Sequence, residues 1–252
     1  MGPRVVPALL ALAAVTAQAQ SLLIAEGDSP PTMRNWAAPE KPIPVGSLVK
    51  PFLALAYGEA HELRFPRVDC TGELCWYTPG HGKLDLEGAL EQSCNVYFRR
   101  LAEQTPKPML RAVLERFGLP TPDNAVERDA WIGLGRSWRI APLDLLAAYR
   151  ELIARRADPT VARVLRGMEL AARSGTADAV GRSLPGPALA KTGTAPSSTR
   201  NWGGDGFAFV AYPAAAPRYT MLLRMDGQTG RQAAATAAET LRRLVQPPRT
   251  PR

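Results

Sequence analysis

Apolar and polar positions along the chain alternate between short runs with strand character and longer stretches with helical spacing. Ser21-Leu22-Leu23-Ile24-Ala25 is a compact apolar run and is expected to form the first strand. Residues 27–46 hold Gly27, Pro30, Pro31, Pro39, Pro42 and Pro44, which predicts an extended connection with little helix. From Ser47 onward, Leu48, Val49, Phe52, Leu53, Leu55 and Ala56 would cover most of a helix surface, the pattern of a core helix. Pro51 must then fall in the first turn, where a missing N–H costs least, so Ser47 is expected at the helix N-terminus and Gly58 near its end.

Residues 61–83 read as irregular, with a hairpin around Cys70 and Cys75 that ends at Gly80-His81-Gly82. Residues 85–102 predict a helix with Leu86, Ala89, Leu90, Cys94, Val96, Tyr97, Phe98 and Leu101 in the core, and a break near Ser93-Cys94-Asn95. Further helices are expected over 109–117, closed by Gly118, and over 143–155 and 160–173, with a loop at 120–127. Strand character returns at 188–194 and in an antiparallel pair, 207–212 and 218–225, joined across Pro213–Pro217. An amphipathic helix over 232–245 precedes a proline-rich tail, 246–252, expected to be disordered. This order predicts an α/β (α+β) fold: an antiparallel sheet flanked by helices and built from both chain ends (about 20–58 and 175–245), with an inserted all-helical region (about 59–174).

Composition narrows the class. With 46% hydrophobic and 21% charged residues the chain is an ordinary globular protein, which excludes wholesale disorder. The net charge of +8 suits anionic polymers or a membrane surface. Basic residues are scattered singly or in pairs such as Arg99-Arg100, with no aromatic-interleaved stripe, so nucleic acid is not an expected partner. At the N-terminus, Arg4, an apolar run over 5–16 and Ala17-Gln18-Ala19 read as a secretory signal peptide over residues 1–19. The rival is a membrane anchor, but the run is about 12–13 residues against the roughly 20 a spanning helix needs. The mature chain, 20–245, is therefore expected to be exported to the periplasm or outside the cell, with no transmembrane anchor after cleavage. Cell-envelope polymers would be its neighbours.

Export makes Cys70 and Cys75 a disulfide candidate, with Cys94 left over as a buried thiol. The competing reading is a C-x4-C metal half-site. No second half-site follows, and His61 and His81 lack paired ligands, so neither a metal nor another cofactor is expected and both histidines read as structural or loop residues.

Three short motifs carry the candidate chemistry: Ser47-Leu48-Val49-Lys50, Ser93-Cys94-Asn95 and Lys191-Thr192-Gly193. A serine is a poor nucleophile until a base takes its proton, and a lysine three residues on shares its helical face and serves if its pKa is depressed. Singly, S-x-x-K and S-x-N recur by chance, and Ser47 would read as a plain helix cap. Their order and setting resemble the penicillin-binding protein transpeptidase domain, class B-like, of the serine β-lactamase superfamily. Wider matches are Pro44-Val45-Gly46-Ser47, the run from Gly80-His81-Gly82 to Tyr97-Phe98, Gly133-Leu134-Gly135 followed by 140–145, and Lys191-Thr192-Gly193-Thr194-Ala195.

The resemblance implies roles. Ser47 would attack the carbonyl of a D-alanyl-D-alanine stem peptide of peptidoglycan, or of a β-lactam, a covalent inhibitor that imitates it. Lys50 would accept the proton and Ser93 relay it to the leaving amine. Asn95 would bind the substrate amide, while Lys191, Thr192, Gly193 and Thr194 form the substrate-binding strand. The backbone N–H groups of Ser47 and Thr194 would form the oxyanion hole. Cys94 would point away from the site. Glu127 and Asp129 fall where class A β-lactamases carry a deacylating glutamate, but neither has an E-x-x-L-N context, so both read as surface or ion-pair residues. The expected activity is that of a DD-transpeptidase or DD-carboxypeptidase, with a cell-wall assembly protein as possible partner. A class D-like serine β-lactamase, or a non-catalytic β-lactam- or muropeptide-binding module, remain alternatives. Ser93-Cys94-Asn95 argues against the class D reading, and no anchor helix or pedestal domain fits before Ser47.

Overall fold

In the computed structural model, which describes residues 20–122, 128–198 and 203–245, the two ends of the chain meet in one antiparallel sheet. The expected signal peptide, the tail and Glu127 lie outside the described residues. In chain order come β1 (Gln20–Glu26), β2 (Thr32–Arg34) and β3 (Ile43–Pro44), then a 3-10 turn (Gly46–Val49) and α1 (Lys50–Ala60). Next are β4 (Val68–Cys70), β5 (Gly82–Leu84), α2 (Leu86–Glu91), α3 (Asn95–Gln104) and α4 (Lys107–Arg116). A second 3-10 turn (Arg128–Ile132), β6 (Arg139–Ile140), α5 (Pro142–Ala154), α6 (Pro159–Arg173) and α7 (Asp178–Ser183) lead to β7 (Leu189–Pro196), β8 (Gly204–Tyr212), β9 (Tyr219–Asp226) and α8 (Gly230–Val245). Among the described residues no helix is long and apolar enough to cross a membrane.

The main sheet runs β2-β1-β9-β8-β7, so the expected hairpin of β8 and β9 forms its middle and β7 an edge. Strand side chains alternate faces, and both faces are apolar because helices cover both. Leu23, Phe207, Phe209 and Leu222 join the larger core with α1 and α5, where Tyr149 stacks on Phe209 at 4.1 Å. Leu22, Val210, Met221 and Leu223 face the other way, against Ala233, Ala234, Ala237, Ala238 and Leu241 of α8. That alanine stripe lets the helix lie close on the sheet, as the amphipathic pattern predicts.

The nucleophile segment departs from expectation. Ser47 lies in the 3-10 turn before α1, and the α-helix starts at Lys50 with no side-chain cap. Pro51 explains the difference. An α-helix through Ser47 needs the N–H of residue 51 to reach the Ser47 carbonyl, and proline has none. The Lys50 N–H takes that carbonyl instead, closing the tighter turn. In such a turn residues three apart eclipse, so Lys50 still follows Ser47 on one side. The connection over 27–46 also contains strands β2 and β3, and β2 is exposed throughout. The break between α2 and α3 falls where the sequence placed it, with Ser93 at φ +50°.

Candidate active site

Backbone contact fixes the Ser47 turn against β7. A Cβ on Gly46, itself at φ +62°, would stand 2.6 Å from the Thr194 carbonyl oxygen, and one on Gly193 would stand 2.7 Å from the Val45 carbonyl oxygen. Any side chain at either position would pry the serine from the strand. From behind, the buried Tyr149 hydroxyl donates to the Leu48 carbonyl at 2.7 Å, tying the turn to α5.

Lys50 is sealed from water. Its Nζ donates to the Ser93 carbonyl and to Asn95 Oδ1, both at 2.7 Å, and lies 3.5 Å from Ser93 Oγ. Among the described residues its hydrogen bonds go to the S-x-N turn and none to Ser47 Oγ. Burial lowers its pKa to about 7, with the Cys94 and Cys75 sulfurs working against that shift and the Arg99 guanidinium with it. Lys191 is equally buried and donates to Ser93 Oγ and to the Thr192 carbonyl, both at 2.7 Å. Burial, then repulsion from Lys50, holds its pKa well below the ordinary lysine value. Two amines thus converge on one hydroxyl.

The S-x-N turn that receives them is a strained one, because serine rarely adopts a positive φ. The Trp76 indole N–H straps it, shared between the Gln92 carbonyl at 3.1 Å and the Ser93 carbonyl at 3.2 Å. Asn95 Oδ1 is committed to Lys50, which leaves its Nδ2 hydrogens for the adjoining space.

That space is a cleft of about 340 Å³. Ser47, Ser93 and Asn95 line one side, and Thr192, Gly193 and Thr194 line another. Lys50 and Lys191 stay behind these walls. The two threonines differ: Thr192 Oγ1 donates to Thr176 Oγ1 at 2.7 Å, whereas Thr194 Oγ1 accepts the Gly230 N–H at 3.0 Å and donates to no acceptor among the described residues. Lining residues that the motifs did not flag are Trp76, Leu134, Thr176, Thr229, Gly230 and Arg231. The glycine turn at 133–135 includes Leu134, whereas none of the motifs touched Trp76. Nothing in the sequence marked Arg231.

Residues outside the cleft also find places. Asp129 takes a two-bond ion pair from Arg99, each bond 2.7 Å. His61 stacks on Tyr57 at 4.2 Å. The cysteines differ from the sequence expectation: Cys70 and Cys75 are not joined, and all three thiols are free. The hairpin of β4 and β5 instead brings both beside His81 and the buried Cys94, so the pairing inferred from short sequence spacing gives way to a cluster assembled from distant positions.

Comparison with known proteins places this arrangement. The family profile described as the penicillin binding protein transpeptidase domain matches residues 10–246, and the chain belongs to that family. No curated protein matches the chain by sequence. Among solved structures, the chain is similar to Pseudomonas aeruginosa PBP2 in complex with WCK 5153, with TM-score 0.78, 17% identity, and 92% of this chain and 75% of that one covered. Helicobacter pylori PBP2 in complex with MreC gives TM-score 0.73 and 18% identity over 90% of this chain, which spans 60% of that protein. The transpeptidase domain of the FtsI4 D,D-transpeptidase from Legionella pneumophila gives 0.65 and 18%, covering 90% of each chain. At such identities the structural likeness establishes the fold.

Proposed function

We propose that the chain is an exported penicillin-binding serine acyltransferase, a D,D-transpeptidase or D,D-carboxypeptidase, that acts on D-alanyl-D-alanine stem peptides of peptidoglycan through a Ser47 acyl-enzyme. The observation that carries this reading is the buried Lys50, able to lose its proton near pH 7 and hydrogen-bonded to the S-x-N turn behind a cleft that Ser47 lines.

A neutral amine has two hydrogens and one lone pair. The two 2.7 Å bonds to the Ser93 carbonyl and Asn95 Oδ1 use the hydrogens, so the lone pair is the remaining valence. It takes the Ser47 proton as Oγ attacks the substrate carbonyl carbon. The resulting oxyanion is held by the Ser47 and Thr194 backbone N–H groups, which sit on the two apposed backbone segments. The proton returns through Ser93 Oγ to the leaving amine as the C–N bond breaks. Lys191 holds that hydroxyl in place, and Asn95 Nδ2 binds the substrate amide. Water or an acceptor amine then cleaves the Ser47 ester. The Thr194 hydroxyl and the cationic Arg231 receive the terminal carboxylate, while Thr192 acts indirectly, through Thr176.

Residues 1–19 act in this reading as a cleaved secretory signal, and 20–245 as the exported catalytic domain. A cell-wall assembly protein is its partner by analogy with the H. pylori PBP2 complex with MreC. The test is incubation with fluorescent penicillin. Wild type becomes covalently labelled and releases D-alanine from a stem-peptide substrate, and Ser47→Ala takes no label. A folded wild type that remains unlabelled would falsify the assignment.

A further inference from the structure

The middle residue of the S-x-N turn opens on a second buried site. Ser93 and Asn95 line the cleft, while the fully buried Cys94 directs its sulfur to within 3.9 Å of Cys75 Sγ. Cys70 Sγ and Cys75 Sγ lie 3.5 and 3.6 Å from one nitrogen, His81 Nδ1. All four donor atoms lie within 4.8 Å of one another.

These distances have a specific meaning. Zinc bonds of about 2.3 Å to sulfur and about 2.0–2.1 Å to nitrogen, set tetrahedrally, imply edges of roughly 3.8 Å between sulfurs and roughly 3.6 Å from sulfur to nitrogen. The three close contacts match those edges. A disulfide needs sulfurs about 2.05 Å apart and would leave one of the three thiols unpaired. The ligands also come from four separate places: the end of β4, the following loop, the residue before β5, and the residue before α3.

We propose that Cys70, Cys75, His81 and Cys94 form a tetrahedral zinc site that pins the cysteine loop to the Ser93-Cys94-Asn95 turn. Three thiolates and an imidazole make a closed, structural set, and soft sulfur donors favour zinc over magnesium or calcium. On binding, each thiol releases a proton to solvent and Zn²⁺ takes the three sulfur lone pairs and that of His81 Nδ1. The imidazole then carries its hydrogen on Nε2, which is buried without an acceptor among the described residues. The ligands are positioning residues. They hold the strained Ser93 and carry Trp76, whose N–H straps the Ser93 carbonyl, into the cleft wall. Only this effect on acylation rests on the proposed function; the metal site stands apart from it.

The experiment uses the full chain, reduced and treated with chelator, then titrated with Zn²⁺ or Co²⁺. The expected result is one metal per chain, loss of reactivity of all three thiols toward a thiol reagent, and thiolate-to-cobalt charge-transfer absorption with d–d bands of tetrahedral intensity. Cys70→Ser should weaken zinc binding at least tenfold, and Ser47→Ala should leave it unchanged. Metal-free wild type, checked for helix content, should take fluorescent penicillin at least tenfold more slowly and recover on adding zinc. Three thiols still reactive in excess zinc, or a Cys75–Cys94 disulfide in the isolated exported protein, would overturn the site. Metal binding with identical labelling rates in both forms would overturn the positioning role. Metal binding in a protein that never labels would support the site and count against the acyltransferase assignment alone.

Discussion

Arg224 in β9 is buried with carboxylate oxygens of Asp205 and Asp226 at 2.8 and 2.7 Å, whereas Lys50 and Lys191, sealed as completely, hydrogen-bond to carbonyl, amide and hydroxyl oxygens. Among the described residues no carboxylate pairs with either lysine. The two arrangements answer the cost of burying a charge in opposite ways. A guanidinium, which does not give up its proton, is compensated by anions and becomes a lock between β8 and β9. An amine can shed its proton, and left without an anion it does so near neutrality, which makes a base. Removing a residue from the lysine pair should therefore cost chemistry, and breaking the arginine pair should cost stability.

The largest effect is expected at Lys50. Lys50→Met keeps the chain length and removes the base, so the rate of penicillin acylation should fall by about 10²–10⁴-fold, the range of general base catalysis. Stability should change by no more than about 1 kcal/mol. The methionine leaves Asn95 Oδ1 without its lysine donor and the Ser93 carbonyl with the shared Trp76 N–H alone, a loss of about 1–3 kcal/mol, but it also removes a lysine whose burial disfavours its charge. Stopped-flow labelling and urea unfolding measure the two quantities. A variant that labels within tenfold of wild type would remove Lys50 from the mechanism.

Asp205→Ala should reverse the pattern. It strips one carboxylate from a buried guanidinium, and such a break costs about 3–5 kcal/mol. Asp226 remains at 2.7 Å, so the low end, about 3 kcal/mol, is expected. Acylation per folded molecule should stay within about twofold of wild type, since neither residue lines the cleft. Should Lys50→Met cost as much stability as Asp205→Ala, the distinction between lock and base would collapse.

Much of this was legible in the sequence, for reasons that differ by region. The β8–β9 hairpin and the break before Asn95 are local, set by strand runs and by a serine within a short polar interruption. The three motifs were readable because acyl transfer restricts residue types at fixed spacings. Ser47 was misplaced by a few residues because its turn follows from one missing N–H at Pro51, an effect finer than hydrophobic period. The cysteine cluster was misread because sequence spacing ranks Cys70 and Cys75 as a pair, while His81 and Cys94 arrive only when β4 and β5 close and α3 begins. Arg231 carried no pattern at all, since a single exposed arginine at a helix start is common.

A smaller effect concerns pH. Acylation should rise with pH and reach half its plateau near pH 7, because Lys50 must lose its proton first. The groups facing Lys50 are Lys191, the Arg99 cation, and the thiols of Cys94 and Cys75. The Lys50 charge lowers the Lys191 pKa and not the reverse, so Lys191→Met should leave the half-point near pH 7 and slow acylation at every pH, through loss of the donor that holds Ser93 Oγ. A half-point that moves upward by about one pH unit would show instead that Lys191 carries a charge that Lys50 feels.

The smallest expected effect is at Arg231, which among the described residues is the one cation of the cleft lining and is open to solvent. It stands at the first turn of α8, beside Gly230, whose N–H holds the Thr194 hydroxyl. The helix start and the guanidinium both favour a negative ligand, but an exposed ion pair contributes only about 0–1 kcal/mol. Arg231→Ala should therefore raise KM for a stem peptide ending in a free carboxylate about two- to fivefold and leave kcat nearly unchanged, since the contact is equal in ground and transition states. The same peptide with its terminal carboxylate converted to an amide should show no difference between wild type and variant. Equal losses on both peptides would mean that Arg231 shapes the cleft wall instead of reading charge, and carboxylate recognition would then fall to Thr194 alone.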